Sequence, residues 1–222
     1  MLESLLIVRI RLSPIADCRL FSTADGLAYH VAQPRVRFIL PGGLEESSEF
    51  KPLDEERPLR APRQWFKWTE ADDAQSLVPK IERAATAISE CAAAALANAP
   101  DAKLVLGGFS QGAAVTLNAA CRSGSKMPKP MALVQLAAQA PPSELPANSL
   151  EGVKLLVAAG SSDPIAPVAT ATKLYDACGA AGASALPMHT FDGEHEVTLD
   201  TVHKVGQLLN SLLGSDETVA IN

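Results

Sequence analysis

The sequence predicts an α/β fold, a mainly parallel sheet with helices on both faces. Three observations carry that reading. Short apolar runs of strand length recur along the chain, helical periodicities fill the gaps between them, and most of the runs are apolar throughout. Strands hidden on both faces belong to parallel sheets, and strand–helix alternation is how such sheets are connected.

The first run is LLIVRIRL (residues 5–12), whose alternation suits a half-exposed strand, and the second is VRFIL (36–40). Residues 42–62 are charged, rich in proline and glycine, and lack a steady period. A stretch this long reads either as a lid or binding loop or as a solvated insertion. Leu77, Ile81, Ala84, Ile88, Cys91 and Ala95 step by three or four, which predicts a long helix. Asp73 or Ser76 is placed to cap it, and Pro79 is acceptable only within its first turn. KLVL (103–106) is a buried strand. After it, Ala114, Val115, Leu117 and Cys121 mark one side of a helix. Further strands are expected in MALVQLAA (131–138), VKLLVAAG (153–160) and ALPMHTF (185–191). One helix starts near Pro167 and ends around Gly179. The last carries Val197, Val202, Val205, Leu208, Leu209 and Leu212, and residues 214–222 are expected to fray.

At 222 residues, with 47% hydrophobic and 20% charged side chains, the chain fits one domain with a substantial core. A net charge of −6 argues against a nucleic-acid or anionic-membrane surface. No apolar run is long enough for a bilayer. The opening MLESLLIVRIRLSP does not read as a signal peptide, because Glu3 lies in the n-region and Arg9 and Arg11 break the apolar stretch. Cys18, Cys91, Cys121 and Cys178 form no CxxC pair, so reduced thiols are expected rather than disulfides or a zinc site. Together these features predict a cytoplasmic location.

Gly108-Phe109-Ser110-Gln111-Gly112 fits G-x-S-x-G between a strand and a helix. Chance alone gives such a pentapeptide in roughly one chain of this length in fifteen, so the strand before and the helix after carry the weight. In that setting the glycines permit a sharp turn that exposes the serine hydroxyl. The Gln111 amide, at the head of the helix, then faces a developing oxyanion. A serine nucleophile needs a base, and the base needs an acid to orient it, each just past a strand. Asp163 follows the VKLLVAAG strand, and His195 follows the last strand. Of the other histidines, His30 precedes the serine, His189 falls in a strand and His203 in a helix. Asp192 competes with Asp163 but lies too near His195 in sequence for the usual geometry.

These segments resemble the phospholipase/carboxylesterase family of α/β-hydrolases, which includes the acyl-protein thioesterases. GGFSQGAAVTL is similar to its serine motif, GSSDPIAP to its aspartate segment, and FDGEHEV to its histidine segment with one residue inserted. VRFILP followed by RQWFKW (63–68) resembles the stretch in which a tryptophan lies near the acyl site. The resemblance runs from about residue 36 to 213. It implies an α/β-hydrolase fold and a serine hydrolase that cleaves carboxylic esters or thioesters without cofactor or metal. The implied substrate is a small ester or an S-acylated protein. By the same resemblance, Ser110, Asp163 and His195 are the catalytic residues, and Trp65 and Phe66 are candidates for the acyl pocket.

Residues 1–35 depart from the pattern. Where the family ends its first strand in a His-Gly-x-Gly loop, this chain reads Ile10-Arg11-Leu12-Ser13-Pro14. Leu12 falls at the position of the second oxyanion donor, without the flanking glycines. Three readings stand: another segment fills the hole, the hole is incomplete, or this stretch has a different origin. Losing one oxyanion donor typically costs about 10²–10³ in turnover. A catalytically impaired relative that binds acyl groups or a protein partner is therefore the alternative to an esterase.

Overall fold

The computed structural model describes residues 5–9, 36–39, 41–46, 63–97, 99, 101–122 and 124–213. Nine strands are described: β1 (Leu5–Arg9), β2 (Val36–Ile39), β3 (Glu45–Glu46), β4 (Arg63–Gln64), β5 (Lys103–Phe109), β6 (Ala132–Leu136), β7 (Lys154–Gly160), β8 (Ser184–Ala185) and β9 (His189–Phe191). Helices α1 (Ala74–Ala97), α2 (Gln111–Cys121), α3 (Val168–Ala180) and α4 (Leu199–Leu213) lie among them. The main sheet runs β2-β1-β5-β6-β7, and every pairing in it is parallel. Both β8 and β9 pair with β7, as successive pieces of the expected last strand.

Strand side chains alternate between two cores, as the two-residue period requires. Leu104, Leu106, Leu133, Leu155 and Val157 join one cluster with Ile81, Ile88, Leu117 and Leu174 of α1, α2 and α3. Val105, Val134, Leu136 and Leu156 join the other with Val202, Val205, Leu208, Leu209 and Leu212 of α4. Helices thus cover both faces, three on one side and α4 on the other. This is the architecture of the α/β-hydrolase fold.

Three expectations are corrected. The first strand, expected to be half-exposed rather than central, is central in its pairing: β1 pairs on both sides, with β2 and β5. It ends at Arg9, and LLIVR is apolar up to that last residue; the alternation came from extending the run to Leu12. Pro79 is the sixth residue of α1, one turn deeper than expected. It gives up the bond to the Gln75 carbonyl, while the helix start is fixed by a reciprocal cap. The Ser76 N–H donates to Asp73 Oδ1 at 2.8 Å and the Asp73 N–H to Ser76 Oγ at 2.9 Å, so both candidate caps act at once. Finally, the stretch expected to be irregular from residue 42 contains β3, which pairs antiparallel with β4. Residues 47–62 lie outside the described part.

Register lines up the strand ends. Phe109 is opposite Leu136, Leu136 opposite Ala158, and Ala158 opposite His189. The segments that follow these residues all open on the carboxyl edge of the sheet, where ligands of open α/β sheets bind.

Candidate active site

Ser110 stands between β5 and α2 with φ 51° and ψ −122°. A non-glycine residue in that region costs about 1–3 kcal/mol and persists only when its surroundings enforce it. Two restraints are visible. The Ser110 N–H donates to the Leu136 carbonyl at 2.9 Å, which ties the turn to β6. Gly108 packs so tightly on α2 that a Cβ there would lie 2.2 Å from the Gly112 carbonyl group. The two glycines of G-x-S-x-G are therefore a contact pair between strand and helix. The Ser110 side chain makes no capping hydrogen bond to α2, so its hydroxyl is not committed to the helix. Hydrogen bonding at this helix start begins with Ala113 and Ala114 N–H, both donating to the Ser110 carbonyl. The amides of Gln111 and Gly112 precede them at the positive end of the helix dipole.

Asp163 and His195 are both buried, with 4% and 6% of their surface exposed, and they meet. His195 Nδ1 lies 2.8 Å from Asp163 Oδ2. An ionised carboxylate only accepts hydrogen bonds, so Nδ1 carries the proton and, in the neutral ring, Nε2 is left as an acceptor. The other carboxylate oxygen accepts from the N–H groups of Ile165 and Ala166, at 2.8 Å each. Asp163 is thus fixed by its own loop before it touches the histidine. The competitor Asp192 is exposed. His189 lies in β9, 3.3 Å from Asp200, and His203 is exposed on α4.

The loops of Asp163 and His195 are built on one another. Ser161 N–H donates to the Phe191 carbonyl at 2.8 Å, and Ser162 N–H to the Gly193 carbonyl at 2.9 Å. Gly160, at the end of β7, lets residues 193–194 close over it. Phe109, the residue before Ser110, packs its ring 4.6 Å from the His195 imidazole with an interplanar angle of 59°. Serine corner and histidine loop therefore share one end of the sheet.

Trp65 and Phe66 are 1% and 4% exposed and belong to the core cluster on the α1–α3 side. They are joined to the elbow by the side chain of Gln111, a contact that no spacing or periodicity announces. Leu12 lies outside the described residues, as do Cys18 and His30. The remaining cysteines are free thiols; burial raises all three, and Cys178 is pushed up to about 12. Among the described residues no group of three or more His, Cys, Asp or Glu side chains is gathered as a metal site needs, and no helix is long and apolar enough to cross a membrane.

Comparison with known proteins bears on the fold and the family of the chain. In its overall fold the chain is similar to the crystal structure of esterase PE8, with a TM-score of 0.72, 17% identity, and coverage of 94% of this chain and 92% of that one. It is also similar to Zea mays acyl-protein thioesterase 2, with a TM-score of 0.64, 20% identity, and coverage of 96% and 95%. A third likeness is to the Bacillus cereus carboxylesterase, with a TM-score of 0.67, 16% identity, and coverage of 94% and 88%. At these identities the likeness speaks for the fold. No curated protein matches the sequence. The Phospholipase/Carboxylesterase family profile matches residues 21–213, which starts earlier than the motifs alone suggest. The chain belongs to the phospholipase/carboxylesterase family.

Proposed function

We propose that this protein hydrolyses carboxylic esters or thioesters through Ser110, His195 and Asp163. The observation that carries the proposal is the buried Asp163–His195 pair, held against Phe109 next to a serine in a left-handed strand–helix turn. Family membership supports the reaction class.

In this mechanism His195 Nε2 accepts the Ser110 proton as Oγ bonds to the acyl carbon. The carbonyl π pair moves onto oxygen, and the Gln111 amide binds that oxyanion. Leu12, by resemblance, is the second donor. Asp163 keeps the imidazole oriented and stabilises its cationic form. Collapse of the tetrahedral intermediate expels an alcohol or thiol, which takes the proton from His195. Water then repeats the sequence, giving up a proton to His195 and releasing the carboxylic acid and free Ser110. Trp65 and Phe66 bound the acyl site, and the substrate is a small ester or an S-acylated protein.

One observation favours a second reading. Ile10 to Pro14 lacks the glycines of the family's oxyanion loop, which suits a binding module with impaired catalysis. Labelling with a fluorophosphonate probe separates the two. Labelling of the wild type that disappears in Ser110→Ala supports the hydrolase; a folded wild type that takes no label supports the binding module.

A further inference from the structure

Gln111 acts at the elbow with more than its backbone. Its side-chain Oε1 accepts from the Trp65 N–H at 3.0 Å, and its Nε2 donates to the Phe66 carbonyl at 3.0 Å. Both bonds go to main chain, so they fix where residues 65–66 run rather than which side chains they carry. The same segment is fastened on its far side. The Lys67 N–H donates to Glu45 Oε2 at 2.9 Å, Glu45 pairs with Arg83 of α1, and Lys80 Nζ donates to the Lys67 carbonyl at 3.0 Å. Residues 65–68 thus form a strap between the serine elbow and α1, buried at Trp65 and Phe66 and exposed at Trp68.

We infer that the Gln111 side chain is a positioning residue for acyl-chain selectivity, because it holds this strap in fixed register with the amide that faces the oxyanion. The inference rests on the hydrolase reading above. Its chemical basis is that a primary amide at the end of a long side chain supplies, from two adjacent atoms, the acceptor for one peptide and the donor for the next. A glutamate keeps the first bond and sets a negative oxygen against the Phe66 carbonyl; a methionine of similar size makes neither. One residue thus carries both the clamp and the amide proposed for the oxyanion. With Trp65 and Phe66 bounding the acyl site as proposed above, long acyl chains feel the loss most.

The test measures kcat and KM for p-nitrophenyl esters from acetyl to dodecanoyl in wild type, Gln111→Met, Gln111→Glu, Glu45→Ala and the Gln111→Met/Glu45→Ala double variant. Gln111→Met is expected to lower the long-to-short ratio of kcat/KM about tenfold, mainly through the KM of long esters, as the loss of one or two hydrogen bonds allows. Gln111→Glu falls between it and wild type. Glu45→Ala, remote from the chemistry, lowers the same ratio while its acetyl-ester turnover stays at the wild-type value. The double variant is no worse than the poorer single one, because both act through one element. A ratio that does not move in either single variant overturns the inference, as do strictly additive losses. If Gln111→Met does not fold, Glu45→Ala still decides. Fluorophosphonate labelling of the wild type separates the two failures: no label sinks the hydrolase reading and this inference with it, whereas label with an unmoved ratio sinks the inference alone.

Discussion

A Cβ on Gly160 would stand 2.2 Å from the carbonyl oxygen of Glu194, so the end of β7 and the histidine loop touch backbone to backbone. Through that contact the aspartate and histidine segments hold each other in place.

Gly160→Ala is therefore expected to lose about 1–3 kcal/mol of stability through overpacking. Activity on any accepted ester should fall on the order of a hundredfold, as expected when a reacting group is displaced by about 1 Å. Gly179→Ala in α3 is the control. Nothing lies within 4 Å of its added Cβ, and it is expected to stabilise by about 0.5–1 kcal/mol. Urea midpoints and kcat for the two variants check both statements.

Groups that act as one unit do not contribute independently. Ser110→Ala and His195→Ala should each reduce kcat on the order of 10⁴-fold or more, and the double variant should be no slower than either. Asp163→Asn leaves a hydrogen bond to Nδ1 but favours the other tautomer, and should cost about 10³–10⁴. Single-turnover kinetics on purified variants give the comparison. Additive losses would exclude a shared mechanism.

Acid stability should depend on a pair at the start of α1. Lys80 donates to Asp72 at 2.6 Å and, with bonds from Thr69 and Ser76, holds the Asp72 carboxyl well below the usual carboxylate range. A depressed folded-state pKa means that the unfolded chain takes up the proton first as pH falls. The stabilisation is then fully present above about pH 4 and fades below it, toward the depressed value. Asp72→Asn should accordingly lower the urea midpoint at pH 7, and the gap from wild type should shrink between pH 4 and pH 2. A gap that is constant with pH would assign the effect to lost hydrogen bonds rather than to charge.

Much of this was legible from residue types and spacing. The apolar runs announced β5, β6 and β7 because these strands are buried on both faces and need no polar side. Ser110, Asp163 and His195 could be picked out as candidates because each follows a strand, and strand ends are where a parallel sheet gathers its loops. Other features leave no local trace. Gln111 reaches a peptide 46 residues away, which no periodicity records. Gly160 marks a close approach, yet in sequence it is one glycine after an alanine pair. For β1, three residues read beyond its end supplied the alternation of a half-exposed strand, although its place between β2 and β5 depends on partners distant in the chain.

The alternation of side chains along the strands divides the molecule into two provinces. Trp65 and Phe66 lie with α1, α2 and α3 on one side, whereas Phe109, against which His195 rests, belongs to the α4 side. Under the proposed roles, substrate preference is drawn from one province and proton handling from the other, and the elbow is their common border. Substitutions that remodel what is accepted can then accumulate on the α1 side without disturbing the imidazole, which gives the fold room to change customers while keeping its trade.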